Sequence, residues 1–242
     1  ILRHGDPGLR DNALRMANLL VQDGSAIPNL VERLALNPAW RRQYLYHMAL
    51  NPTSIANERR LLYGLRRSAN PPTAAELDAW FAYRAPRVPQ RDLLADYAAL
   101  SPNRFLPAER YLRDGNFEGT RAAGPFKWKF LNNEHALGSI GPAEGIRGKA
   151  LFLDFSGRVT AVAAEQMLTA APGRYRVSWR ANAVSAAVGR GLTMRVSCIQ
   201  ADDSHSTSDV AMPVAINRWT AGSGYFTVPG TCARTMVSLL YA

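Results

Sequence analysis

The sequence predicts a multidomain chain in which all-α helical hairpins over residues 1–110 are followed by an all-β sandwich over residues 111–242. Three observations predict it. Apolar residues recur at helical spacing through the first hundred positions, with prolines between the runs. Near residue 111 that pattern gives way to short alternating runs bounded by Gly, Pro, Asn and Ser, the signature of antiparallel strands. Finally, 242 residues with a hydrophobic content of 47% supply apolar side chains for two cores of ordinary size.

In the helical half, Leu14, Ala17, Asn18 and Val21 share one face, as do Leu30 and Leu34, and Trp40, Tyr44 and Met48. The phrases Leu36-Asn37-Pro38, Leu50-Asn51-Pro52 and Leu100-Ser101-Pro102 each read as a stop, because proline disfavours helical backbone in the residue before it. The predicted helices run over about 9–23, 27–36, 39–50, 54–68, 73–84 and 90–100. Trp40, Tyr44, His47 and Met48 face one way, which fits packing between helices or the lining of a groove. Pro38 and Pro72 stand 34 residues apart, and Val31-Glu32-Arg33-Leu34-Ala35-Leu36-Asn37-Pro38 resembles the end of the second helix of a tetratricopeptide repeat. The Trp, Gly and Tyr expected in each first helix are not clearly placed, so the segment is tetratricopeptide-like. Such stacks expose a concave face to a protein partner or to copies of themselves.

In the strand half, strands are predicted near 115–119, 125–130, 134–139, 149–155, 164–170, 173–182, 191–199, 207–214, 219–228 and 233–241. Alternation in Arg174-Tyr175-Arg176-Val177-Ser178-Trp179-Arg180 sends Tyr175, Val177 and Trp179 into the core and Arg174, Arg176, Ser178 and Arg180 outward. Asn116-Phe117-Glu118-Gly119, Phe126-Lys127-Trp128, Ala150-Leu151-Phe152-Leu153-Asp154-Phe155 and the strand pair around Pro172-Gly173 resemble a jelly-roll carbohydrate-binding module. That resemblance implies glycan binding without catalysis, through aromatic and polar side chains on one sheet or in the end loops, and a structural calcium ion. Trp179 departs from it, since an inward ring offers no platform to a neutral sugar.

The formal charge of +10 divides evenly between the halves, and the basic residues, nearly all arginine, are interspersed with acids. No block resembles a nucleic-acid-binding arm. Lys127, Lys129, Arg176, Arg180 and Arg195 each alternate with core-like residues, so strands presenting them together would form an electropositive surface for uronate, sulfate or phosphate groups; an ordinary solvated face is the competing expectation. Asp114, Glu118 and Asp154 supply oxygen ligands near the start of the sandwich for a structural calcium ion, which takes about six to eight. Cys198 and Cys232 are placed either to bridge across the sandwich, which implies an oxidising compartment, or to stay as two buried thiols.

Leu2-Arg3-His4-Gly5-Asp6 resembles the Arg-His-Gly signature of histidine phosphatases, but no α/β alternation follows it to carry that chemistry. Asp202-Asp203-Ser204-His205-Ser206 holds the residue types of a hydrolytic triad, yet neighbours in one loop do not orient base, nucleophile and carboxylate toward one another. His4, His47, His135 and His205 share no metal-ligand spacing. The expectation is a non-catalytic, exported protein, periplasmic, cell-surface or extracellular, that tethers polysaccharide through the sandwich and a protein partner through the helices. A self-assembling structural subunit with no glycan ligand is the alternative. No transmembrane segment and no nucleic-acid partner are expected, and a start with helical pattern already under way fits a processed or proteolysed N-terminus.

Overall fold

A computed structural model describes residues 7–100, 111–118, 124–156, 159–185, 191–200 and 204–241. The chain divides into two compact units, Ile1–Phe105 and Leu106–Ala242.

The first unit holds six described helices: α1 (Pro7–Asp23), α2 (Ile27–Ala35), α3 (Arg41–Leu50), α4 (Ile55–Arg66), α5 (Ala74–Arg84) and α6 (Gln90–Leu100). Their starts and stops follow from local chemistry. Pro28 opens α2, where a missing N–H costs nothing. The Ser54 hydroxyl caps α4 by accepting from the Asn57 N–H. Thr73 and Glu76 form a capping box on α5, each satisfying the other's backbone N–H. Asn37 ends its segment in the left-handed region, at φ 51°, just before Pro38.

Packing runs mainly between alternate helices: α3 lies against α1 and α5, and α4 against α2 and α6, while α1 also meets α4 and α5 meets α6. Leu34, Tyr44, Met48, Leu61, Leu65, Leu77 and Phe81 fill the resulting core. Helices α1, α3 and α5 begin at residues 7, 41 and 74. Two asparagines repeat one device along the stack: Asn57 Nδ2 donates to the Gln22 carbonyl at 3.1 Å and Asn70 Nδ2 to the Ala35 carbonyl at 2.7 Å, each satisfying an orphan acceptor at the end of a helix that lies 35 residues back. Three buried acids lock neighbouring turns. Glu76 pairs with Arg41, whose Nη1 also donates to the Leu34 and Asn70 carbonyls. Asp96 accepts from Arg59 and from the Tyr63 hydroxyl, whose pKa burial and that hydrogen bond push up to about 12. Glu58 accepts from Trp80 Nε1 at 2.9 Å and pairs with Arg84.

The second unit is β-sandwich-like. Its strands are β1 (Lys129–Phe130), β2 (Ala136–Pro142), β3 (Lys149–Phe155), β4 (Ala161–Met167), β5 (Gly173–Ala181), β6 (Leu192–Ile199), β7 (His205–Met212), β8 (Thr220–Val228) and β9 (Arg234–Tyr241). Five form one antiparallel sheet in the order β1-β4-β9-β6-β7, while β2–β3 and β5–β8 form two separate ribbons. The main core gathers Met194, Val196, Val210, Met212, Val237 and Leu239 from the large sheet with Phe226 and Val228 from β8, and Tyr175, Val177 and Trp179 pack against it. The β5–β8 ribbon therefore faces the large sheet with one side and solvent with the other. Glycine makes that approach possible: a Cβ at Gly224 would stand 2.3 Å from Val210 Cγ1, and one at Gly222 would overlap the Trp179 ring.

Some predicted strands are corrected. The stretch 115–118 is turn, with Asp114 and Phe117 at positive φ, because Asp-Gly-Asn favours a turn over a ladder. The run 125–130 starts with a 3-10 turn, Gly124–Phe126, and only its last two residues pair. The strand placed at 164–170 sits earlier, at Ala161–Met167, with a register shift between Val162 and Ala164.

Cys198 of β6 and Cys232 of the turn before β9 form a disulfide, with Cα atoms 5.3 Å apart. Replacing both with alanine is expected to lower the stability of the sandwich by about 2–4 kcal/mol, since the bridge closes a loop of 34 residues and shrinks the unfolded ensemble. Separate melting of the two units, read by calorimetry, checks this: the second transition falls while the first stays in place.

Candidate functional site

The outward side of the β5–β8 ribbon is built by register. Arg174 lies opposite Thr227, Arg176 opposite Tyr225, Ser178 opposite Ser223 and Arg180 opposite Ala221. Because Tyr175, Val177 and Trp179 point into the core, pleating sends these eight side chains to solvent. Neither strand contains an Asp or Glu. Among the described residues no carboxylate pairs with Arg174, Arg176 or Arg180. The Arg174 guanidinium lies over the Tyr225 ring, 4.8 Å from its centroid, and Arg176 Nη2 donates to Ser223 Oγ at 3.2 Å. Tyr225 is 57% exposed. The result is an acid-free face of three permanent charges, three hydroxyl-bearing neighbours and one aromatic ring, suited to anionic groups.

The structure does not gather all five basic residues read from the sequence. Only Arg176 and Arg180 share this face. Arg195 alternates with the core residues Met194 and Val196, so it projects from the outer side of the opposite sheet. There it makes a bidentate pair with Asp209, its register partner on β7, at 2.8 and 2.7 Å. These hydrogen bonds hold the Asp209 carboxyl below the usual carboxylate range and raise the Arg195 guanidinium. Lys129 on β1 is paired across the strand with Glu165 at 3.1 Å, and Lys127 is half-buried in the loop before that strand. The residues missed were Arg174, which alternation had already put on the outward row, and Tyr225, whose partnership with β5 only the register reveals.

The three carboxylates proposed for calcium do not converge. Asp114 is buried in its turn, Glu118 Oε1 accepts from the Lys149 N–H at 3.0 Å, and Asp154 is exposed on β3 opposite Leu137. Among the described residues no three His, Cys, Asp or Glu side chains are grouped to hold a metal ion. The Arg3-His4 phrase and Asp202-Asp203 lie outside the described residues, while His205 opens β7 at the surface. Tyr44 and Met48 are fully buried and Trp40 meets Tyr44 edge-on at 6.1 Å, so that helix face packs between helices.

No family model matches the sequence, and no curated protein matches it. Among solved structures, the chain is similar to a xylan-binding domain of carbohydrate-binding module family 22, at 16% identity and a TM-score of 0.38, over 55% of this chain and 84% of that one. It is also similar to the C-terminal family 22 carbohydrate-binding module of Clostridium thermocellum Xyn10B, at 16% identity and a TM-score of 0.36, over 57% and 87% of the two chains. A third likeness is to the enzymatically active domain of tailspike protein 4 of bacteriophage CBA120, at 10% identity and a TM-score of 0.35; it covers 53% of this chain and only 18% of that one. Among the described residues no helix is long and apolar enough to cross a membrane.

Proposed function

We propose that this is a non-catalytic, exported binding protein whose sandwich holds an acidic polysaccharide and whose helical unit, a tetratricopeptide-like stack, holds a protein partner or further copies of the chain. The observation that carries the polysaccharide reading is the acid-free outer face of β5–β8, where Arg174, Arg176 and Arg180 stand with Ser178, Ser223, Thr227 and Tyr225 and no counter-charge on either strand. A solvated face normally mixes signs, as the Lys129–Glu165 and Arg195–Asp209 pairs of the opposite sheet do. The disulfide fits an oxidising compartment. Helix starts at residues 7, 41 and 74 and the repeated asparagine bonds support a repeat architecture in the first unit.

A second reading is favoured by a different observation. Helix α1 exposes Met16, Leu19 and Leu20, with Met16 64% accessible, an apolar surface suited to assembly between copies. The test is a panel of neutral and acidic polysaccharides at two salt concentrations, run beside sedimentation of the protein alone. The polysaccharide reading predicts binding to acidic polymers that weakens as salt screens the guanidiniums. Concentration-dependent assembly with no polysaccharide bound would replace it with the assembly-subunit reading.

A further inference from the structure

Arg174 and Arg176 do not stand straight out from β5. The register partner of Arg174 is Thr227, yet its guanidinium lies over Tyr225, the next outward position along β8. The partner of Arg176 is Tyr225, yet its Nη2 reaches Ser223, again the next position along. Both lean in the same direction, toward the end of β5 where Arg180 stands opposite Ala221. In sequence the three arginines are unevenly spaced, two residues apart and then four. In the structure the first two heads fall at consecutive outward positions of β8, Tyr225 and Ser223, which in an extended strand recur about every 7 Å, and Arg180 is rooted at the next outward position, opposite Ala221. The lean sets these two heads as adjacent rungs of a ladder that runs toward Arg180.

The same geometry assigns Tyr225 a role. One face of its ring carries the Arg174 guanidinium, so that face supports a cation in place of a sugar or a nucleobase. We propose, building on the polysaccharide reading above, that this face recognises glycans carrying an anionic group on every sugar residue, through a ladder of guanidiniums in which Tyr225 is the positioning residue that seats Arg174. Guanidinium forks match carboxylate and sulfate oxygens, and closely repeated charges on the polymer can engage successive rungs, whereas widely separated ones leave rungs empty.

The experiment is titration calorimetry at low salt with polygalacturonate, charged on every residue, hyaluronan, charged on every second, neutral dextran, and a deoxythymidine oligomer. The proteins are wild type, Arg174→Ala, Tyr225→Leu and the double variant, all altered at exposed side chains and checked for unchanged Tm. Expected are affinity for polygalacturonate about ten-fold above that for hyaluronan, no heat with dextran, and weaker binding of the oligomer than of polygalacturonate. Tyr225→Leu weakens polygalacturonate binding about two- to five-fold in wild type and leaves it unchanged once Arg174 is alanine. A Tyr225→Leu loss that persists in the Arg174→Ala background, or binding of dextran, would show a sugar platform and overturn the proposal. Equal affinity for hyaluronan would overturn the ladder, and preference for the oligomer would make the face a nucleic-acid site. Silence with every polymer removes the polysaccharide reading itself, and the proposal with it.

Discussion

Glu58→Ala is expected to destabilise the helical unit by about 3–5 kcal/mol, the usual cost of leaving one partner of a buried ion pair without its counter-charge. Glu58 is fully buried in the first turn of α4 and ties that helix and the loop before it to α5. Its Oε1 accepts from the Thr53 N–H at 3.1 Å and its Oε2 from Trp80 Nε1 at 2.9 Å, with Arg84 Nη1 at 3.5 Å. Arg84 is itself buried, and its Nε and Nη2 have no hydrogen-bond partner. Burial already lowers the pKa of that guanidinium, with Glu58 the largest opposing influence. Truncating Glu58 therefore removes three hydrogen-bond acceptances and strands a charge, in a unit whose whole stability is on the order of 5–15 kcal/mol. The check is the first calorimetric transition. It should fall steeply in Glu58→Ala and recover in large part when Arg84→Met is added, because replacing both partners by apolar groups of similar size is close to neutral. A Glu58→Ala protein that melts like wild type would mean that the pair carries no structural weight.

Removing the three guanidiniums of the β5–β8 face together, in Arg174→Ala, Arg176→Ala, Arg180→Ala, is expected to weaken binding of an acidic polysaccharide by at least about 100-fold at low salt, since each charge-assisted contact contributes on the order of 1.5–3 kcal/mol and the contributions overlap. All three side chains are exposed, and the core contacts of β5 come from Tyr175, Val177 and Trp179, so folding is expected to be preserved. The informative control is Lys129→Ala, Arg195→Ala, which removes two charges from the opposite sheet. Both are already held by carboxylates, Glu165 and Asp209, and their loss should change polysaccharide affinity little. Equal weakening by the two variants would point to net charge as the attraction, with no defined face.

The helices were legible because their signals are local. Proline stops and apolar spacing placed all six helices to within about two residues at each described end. The inward position of Trp179 was legible for the same reason, because pleating alone decides it. What the sequence could not display was which strand lies beside which. Lys129 and Glu165 are 36 residues apart and Arg195 and Asp209 14 apart, yet register places each pair face to face and neutralises two cations that alternation alone had counted toward a basic surface. The pairing of β5 with β8 spans a longer separation and brings Tyr225 and Ser223 under the arginines, so the candidate site is a product of topology. The three carboxylates named for calcium stand apart for a related reason. Asp114 and Glu118 are near neighbours in sequence, but a turn with two residues at positive φ buries the first and spends the second on the Lys149 N–H.

The most direct test of the polysaccharide-binding face is the affinity of wild type and of the triple arginine variant for polygalacturonate, measured by calorimetry at low and at high salt. The expected result is binding by wild type that falls as salt rises, and loss of that binding in the triple variant with its Tm unchanged. Binding by the triple variant equal to that of wild type would contradict the assignment of the β5–β8 face.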